Sequence, residues 1–152
     1  MQNTQLKSLQ LVLDMERRRE DQFAQRMHQA RQQCEYQRKR LQGLEHYRVE
    51  YLNNAVSMGQ NGLQSLRFGH YHAFIGKLDE GIGQQRIKLQ RLEQVVEDRK
   101  KQWLEKQQRR KAIEQLIEQQ QRESQRRLQR NEQKTADEYA MQGVLRRARG
   151  KR

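Results

Sequence analysis

An all-α fold, a long antiparallel hairpin of two coiled-coil helices with the second overhanging the first, follows from three features of the sequence. From Leu6 the positions 6, 9, 13, 16, 20, 23, 27, 30, 34, 37, 41, 44, 48 and 51 alternate steps of three and four without a slip, and ten of those fourteen are apolar or aromatic. From Phe68 the alternation restarts and runs through 71, 75, 78, 82, 85, 89, 92, 96, 99, 103, 106, 110, 113, 117 and 120, eleven of sixteen being apolar or aromatic. Between the stripes lies a segment rich in Asn and Gly, and proline is absent throughout the 152 residues. Unbroken heptads of this length specify helices that bury a narrow seam against each other.

Helix one is expected over about residues 4–52. It should end where Asn53, Asn54, Ser57, Gly59, Asn61 and Gly62 collect residues that tolerate left-handed backbone. A turn over 53–65 then leads into helix two, about 66–142, for which Ser65 is a reasonable cap. Gly76, Gly81 and Gly83 lie inside the second stripe and each weakens helix by about 1 kcal/mol relative to Ala, so the end nearest the turn is the softer one. Residues 143–152 read as a basic tail, and the whole chain as a single coiled-coil domain.

A connection of about a dozen residues favours an antiparallel pair. If Tyr51 faces Phe68, facing residues have numbers adding to about 119. Leu44 then meets Ile75, Leu41 meets Leu78, and Glu20 falls beside Arg99 as a polar layer that fixes register more than it adds stability. Helix one runs out near Leu6, which reaches Ile113, so roughly 30 residues of helix two, about 45 Å, extend without a partner in the chain.

Composition narrows the function. Hydrophobic residues make up 33% and charged residues 34%, enough for a seam but thin for a compact core. The 27 glutamines suit solvated helix faces. Low hydrophobicity with high net charge also describes disordered chains, and the sustained register argues against that reading. The single Cys34 falls on the seam, is expected to act as a small buried hydrophobe and fits a reducing cytoplasm. No signal peptide or membrane span is evident. His70 and His72 are two apart and point to different faces, which with His28 and His46 makes no metal site. No phosphate-binding loop, nucleophile elbow or enclosed pocket is expected, so the reading is of a non-enzymatic protein with neither cofactor nor small-molecule substrate, one that works by touching other proteins.

Two surfaces stand out. Tyr51, Phe68 and Tyr71 fall on the seam, while Tyr47 and Phe74 occupy flanking positions on the same side of an antiparallel pair, where they should lie almost opposite each other. That aromatic patch exceeds what a seam requires, and such patches mark contact sites. The second is cationic. The chain carries 32 Lys or Arg against 19 Asp or Glu, net +13, and from Arg109 onward the balance is 13 against 6. The concentration of charge falls where the partner helix is missing, with Arg122, Arg126, Arg127 and Arg130 as the candidate contacts.

The run Tyr47-Arg48-Val49-Glu50-Tyr51-Leu52-Asn53-Asn54, then Phe68 and Tyr71-His72-Ala73-Phe74-Ile75-Gly76-Lys77-Leu78, resembles the signature around the hairpin turn of the flagellar export protein FliJ family, and Asp137-Glu138-Tyr139-Ala140 before a basic end extends the likeness. The resemblance implies an antiparallel two-helix coiled coil similar to the central stalk of rotary ATP synthases. It also implies a cytoplasmic protein, peripherally associated with the inner face of the cell membrane at the flagellar base. Its partners would be the hexameric flagellar export ATPase, whose assembly and activity it promotes, the cytoplasmic domain of the export gate membrane protein, and export chaperones. By position, the gate-contacting surface would comprise Leu44, Tyr47, Tyr51, Phe74 and Leu78, with Arg40, Gly81 and Gln85 departing from the family pattern. The charge keeps nucleic acid in view as an alternative partner, although acidic residues interrupt nearly every basic run and no nucleic-acid module is present. A purely structural coiled coil and the equivalent stalk of a virulence type III secretion system are further alternatives.

Overall fold

The computed structural model describes the backbone of residues 2–60 and 65–150, and side chains over 4–57 and 69–150. All of it is helical. Helix α1 spans Gln2–Gln60 and α2 spans Ser65–Gly150. The contacts cluster in two units, one of Asp21–Glu105 and one of Met1–Glu20 with Lys106–Arg152.

Within Asp21–Glu105 the two helices run antiparallel, closed along their flanks by ion pairs. Arg38 reaches Glu93 at 3.4 Å and Arg86 reaches Glu45 at 3.0 Å. The Arg48 guanidinium grips Asp79 through two nitrogens, the second at 3.3 Å. The core is the seam: Met27, Ala30, Cys34, Leu41 and Ile82 are all buried, as is the side chain of Gln37. In the second unit the pairing is again antiparallel, with Arg17 meeting Glu114 at 3.4 Å and Ile117 buried.

The three-and-four spacing identifies the buried face. All fourteen seam positions of α1, and all fifteen of α2 whose side chains are described, are buried or half-buried. A 3.6-residue helix has room for only one such stripe facing a single partner, so the periodicity maps directly onto burial.

The ends of the helices differ from expectation. Helix α1 does not stop at Leu52 but continues through Asn53, Asn54 and Ser57 to Gln60. Asn and Ser cost only a few tenths of a kcal/mol each inside a helix, and neither Pro nor Gly interrupts residues 53–58. Residues 53–60 and 65 of the expected turn are therefore helical, and 61–64 lie outside the described residues. Helix α2 begins at Ser65, the expected cap, and runs on through the expected basic tail to Gly150. Ala140, Met141, Gln142, Leu145 and Ala148 are good helix formers, and Arg147 and Arg149 in the last turn suit the negative end of the helix dipole.

The later apex moves the register. Gln60 and Ser65 have numbers adding to 125, against the expected 119. Cross-helix partners all lie above the expected value: Arg26 with Arg99 and Glu16 with Arg109 add to 125, Arg48 with Asp79 to 127, Glu20 with Arg110 to 130, and Arg38 with Glu93, Glu45 with Arg86 and Arg17 with Glu114 to 131. The pairing is thus displaced by about one heptad. Glu20 does not meet Arg99. Its carboxylate accepts from Arg110, while Arg99 donates to the Arg26 carbonyl at 2.9 Å. Heptads repeat, so the apolar stripe alone accepts a seven-residue slip; the apex and the flanking charges select one alternative.

Beyond Ser124 every side chain of α2 described through Gln142 is exposed. This segment of the second unit is helical without an intrachain partner, as the stripe lengths imply.

Candidate functional site: an aromatic patch and a basic helix end

Near the apex, residues of α1 and α2 within Asp21–Glu105 build an aromatic cluster. The Tyr51 ring lies 4.5 Å from Phe74 and 4.6 Å from Tyr71, both tilted. Tyr47 meets Tyr51 at 6.2 Å and Phe74 edge-on at 6.3 Å. These separations fall within the range of favourable ring contacts. Tyr51 and Tyr71 are half-buried, while Tyr47 and Phe74 keep 48% and 39% of their surface exposed. Desolvation among the rings, with Tyr71 and Tyr47 adding to it, pushes the Tyr51 hydroxyl above its ordinary pKa.

The spacing brings Tyr47 and Phe74 together as expected. Tyr51 packs between Tyr71 and Phe74; its expected partner Phe68 lies outside the residues whose side chains are described. Leu44 and Leu78 are half-buried on the seam, so they support the exposed rings from below. Arg40 is exposed, Gly81 half-buried, and Gln85 carries a buried Oε1 without a hydrogen-bond partner.

Sequence reasoning overlooked the ion pairs beside this cluster. Arg48 immediately follows Tyr47, and its clamp on Asp79 ties the two helices next to the rings. Arg86 with Glu45 does the same one turn further on. The Arg48 guanidinium holds the Asp79 carboxyl below its usual range, chiefly through their hydrogen bond. Each pair is exposed and worth little by itself; their effect is to hold the register of the aromatic patch. Opposite charges recurring on the flanks of the two stripes, at number sums of 127 to 131, were the available signal.

The other candidate surface lies on α2 in the second unit. Arg122, Arg126, Arg127 and Arg130 are all exposed, Arg122 standing 3.9 Å from Glu118 on its own helix. Apolar groups accompany them, with Leu128 61% and Tyr139 79% exposed. At 100° per residue, Arg126, Arg130 and Lys134 fall opposite Leu128 and Tyr139, with Glu123 and Asp137 interspersed on the arginine side and Glu132 beside Leu128.

Among the described residues no three His, Cys, Asp or Glu side chains gather as metal ligands, and no helix is long and apolar enough to cross a membrane. Cys34 is buried and Arg38 donates to its sulfur at 3.8 Å.

The family model of the flagellar FliJ protein matches residues 5–149. The chain belongs to the FliJ family. The flagellar FliJ proteins of Salmonella typhi and of Escherichia coli strain K12 are each 30% identical to it over 140 residues, spanning 92% of this chain and 95% of theirs. No solved structure matches. The FliJ match takes in both helices, the aromatic cluster and the arginines of the α2 end, so both candidate surfaces lie within the matched length.

Proposed function

We propose that this chain is a non-enzymatic component of the flagellar protein export apparatus, a stalk-like helical protein that binds the hexameric export ATPase and the cytoplasmic domain of the export gate membrane protein. The reading rests on FliJ family membership across nearly the whole chain. In it, Leu44, Tyr47, Tyr51, Phe74 and Leu78 contact the gate. The α2 end, with Arg122, Arg126, Arg127 and Arg130, enters the ATPase ring and promotes its assembly and activity. Export chaperones are further partners, and the protein works in the cytoplasm at the inner face of the membrane.

Exposed rings on two helices supply rigid apolar area at low entropic cost, which suits a specific contact with a folded domain. An exposed helix carrying four arginines between 122 and 130 suits a surrounding partner with acidic loops, with attraction that weakens as salt rises.

The aromatic assignment is tested by Tyr47→Ala with Phe74→Ala. Binding to the purified gate domain should disappear while helicity by circular dichroism is retained. Retained binding by this well-folded variant would reject the patch. Because the chain is strongly basic, a gel shift with random DNA separates the nucleic-acid reading: tight binding at physiological salt would favour that alternative.

A further inference from the structure

The α1 segment of the second unit is apolar on two opposite faces. Leu6, Leu9 and Leu13 are half-buried on the seam toward α2. Leu11, Val12 and Met15 lie on the outward side, 66%, 39% and 51% exposed. Leu11 and Met15 are one turn apart and Val12 adjoins them, so the three form a contiguous outward stripe. A surface helix normally carries a single apolar stripe, and a helix apolar on two sides is built to be packed on both.

The second helix extends this stripe. Glu16 meets Arg109 at 3.3 Å across one flank of the pair. Val12 lies one turn before Glu16, and Leu116 lies two turns after Arg109 in the opposite chain direction, so both stand on that flank. Leu116 is 41% exposed. Two elements therefore contribute to one patch.

Its charge identifies the occupant. Glu16 is 3% exposed, and its Oε1 takes both Arg19 and Arg109, each at 3.3 Å. Those guanidinium side chains remain 45% and 61% exposed. Two guanidiniums anchored on one carboxylate leave a surplus positive charge and N–H donors beside the apolar stripe. A partner carboxylate flanking an apolar ridge satisfies both features at once. A second copy docking face to face through the same patch would oppose its own Arg19 and Arg109 to ours, a like-charge arrangement that costs rather than gains.

The geometry points to a docking site for an amphipathic helix with acidic flanks, formed by Leu11, Val12, Met15 and Leu116, with Arg19 and Arg109 as its carboxylate receptors. The partner helix lies along α1 and completes a third layer. This site is separate from the aromatic patch and from the α2 end, and does not depend on either of their proposed partners.

The probe is a synthetic peptide of about 18 residues, with leucines at three-and-four spacing and glutamates on both flanks, titrated against the full chain by fluorescence anisotropy. Leu11→Ser with Met15→Ser should weaken its binding by about tenfold or more. These are exposed positions, so circular dichroism should stay unchanged. Arg19→Gln with Arg109→Gln should weaken binding similarly and flatten its salt dependence, whereas Leu128→Ser with Tyr139→Ser should leave it intact. Absence of binding, equal binding of the same peptide with lysines in place of the glutamates, or a loss caused by the Leu128 and Tyr139 changes would overturn the site. So would a dimer in sedimentation that Leu11→Ser with Met15→Ser dissociates, since the occupant would then be a second copy.

Discussion

Arg48 and Asp79 illustrate how weak contacts acquire importance in a thin core. With a seam one residue wide, nothing but layer identity and flanking charge opposes slippage, so an exposed pair that adds little stability still selects register. Arg48 lowers the Asp79 carboxyl and Arg110 lowers that of Glu114, in each case mainly through a hydrogen bond. A carboxyl whose folded-state pKa is depressed contributes stability that is complete above its unfolded value and is lost as pH falls through the folded one. The thermal midpoint should therefore hold steady from pH 7 to about pH 5 and decline below about pH 4. In Asp79→Asn the midpoint should be lower at pH 7 and the acid-side decline shallower. An unchanged acid profile in this variant would detach Asp79 from the effect. At the seam itself, Leu41→Ala, which truncates a buried side chain, should cost about 2 kcal/mol or more in urea unfolding.

Among the elements, α1 and α2 show what pattern alone conveys. Each three-and-four stripe gave the buried face, every buried side chain among the described residues lying on it, because burial on a helix is set by angle, and angle is set by spacing. Helix ends are set by a competition of a few tenths of a kcal/mol per residue, and there Asn53, Asn54 and Ser57 were read as a turn although they cost α1 too little to end it. The misplaced apex then carried the register with it, putting Glu20 beside Arg99 instead of Arg110. Tyr47 and Phe74, whose numbers add to 121, nonetheless touch edge-on at 6.3 Å, both rings packing on Tyr51. The outward group of Leu11, Val12 and Met15 is illegible in the pattern because it is only three residues long and does not repeat with the seam.

Two predictions belong to the helices themselves. A Cβ built at Gly83 meets nothing within 4 Å, so Gly83→Ala should stabilise α2 by about 0.5–1 kcal/mol, read as a higher urea midpoint. A lower midpoint would mean that the glycine answers a packing need. Deleting residues 125–152 should reduce helical ellipticity roughly in proportion to length while leaving the cooperative unfolding midpoint nearly unchanged, because the side chains described there are exposed. A large loss of stability would show that this end packs after all.

For the whole molecule, composition and stripe length sufficed for a two-helix hairpin, since 33% hydrophobic residues fill a seam and little else, while the likeness to the FliJ family lay in the residues flanking the turn, Tyr47 to Asn54 and Tyr71 to Leu78. Which exposed surfaces meet partners is less legible, because an exposed ring or arginine acquires meaning only from a molecule that lies outside the chain. The account assigns separate surfaces to separate partners, and a crossed binding measurement tests that division directly. Two variants, Tyr47→Ala with Phe74→Ala and Arg126→Glu with Arg127→Glu and Arg130→Glu, are each titrated at low salt against the gate's cytoplasmic domain and against the hexameric export ATPase. The aromatic variant should lose the gate and keep the ATPase, and the charge-reversed variant should do the opposite. Loss of both partners by either well-folded variant, or retention of both by either, would contradict the account.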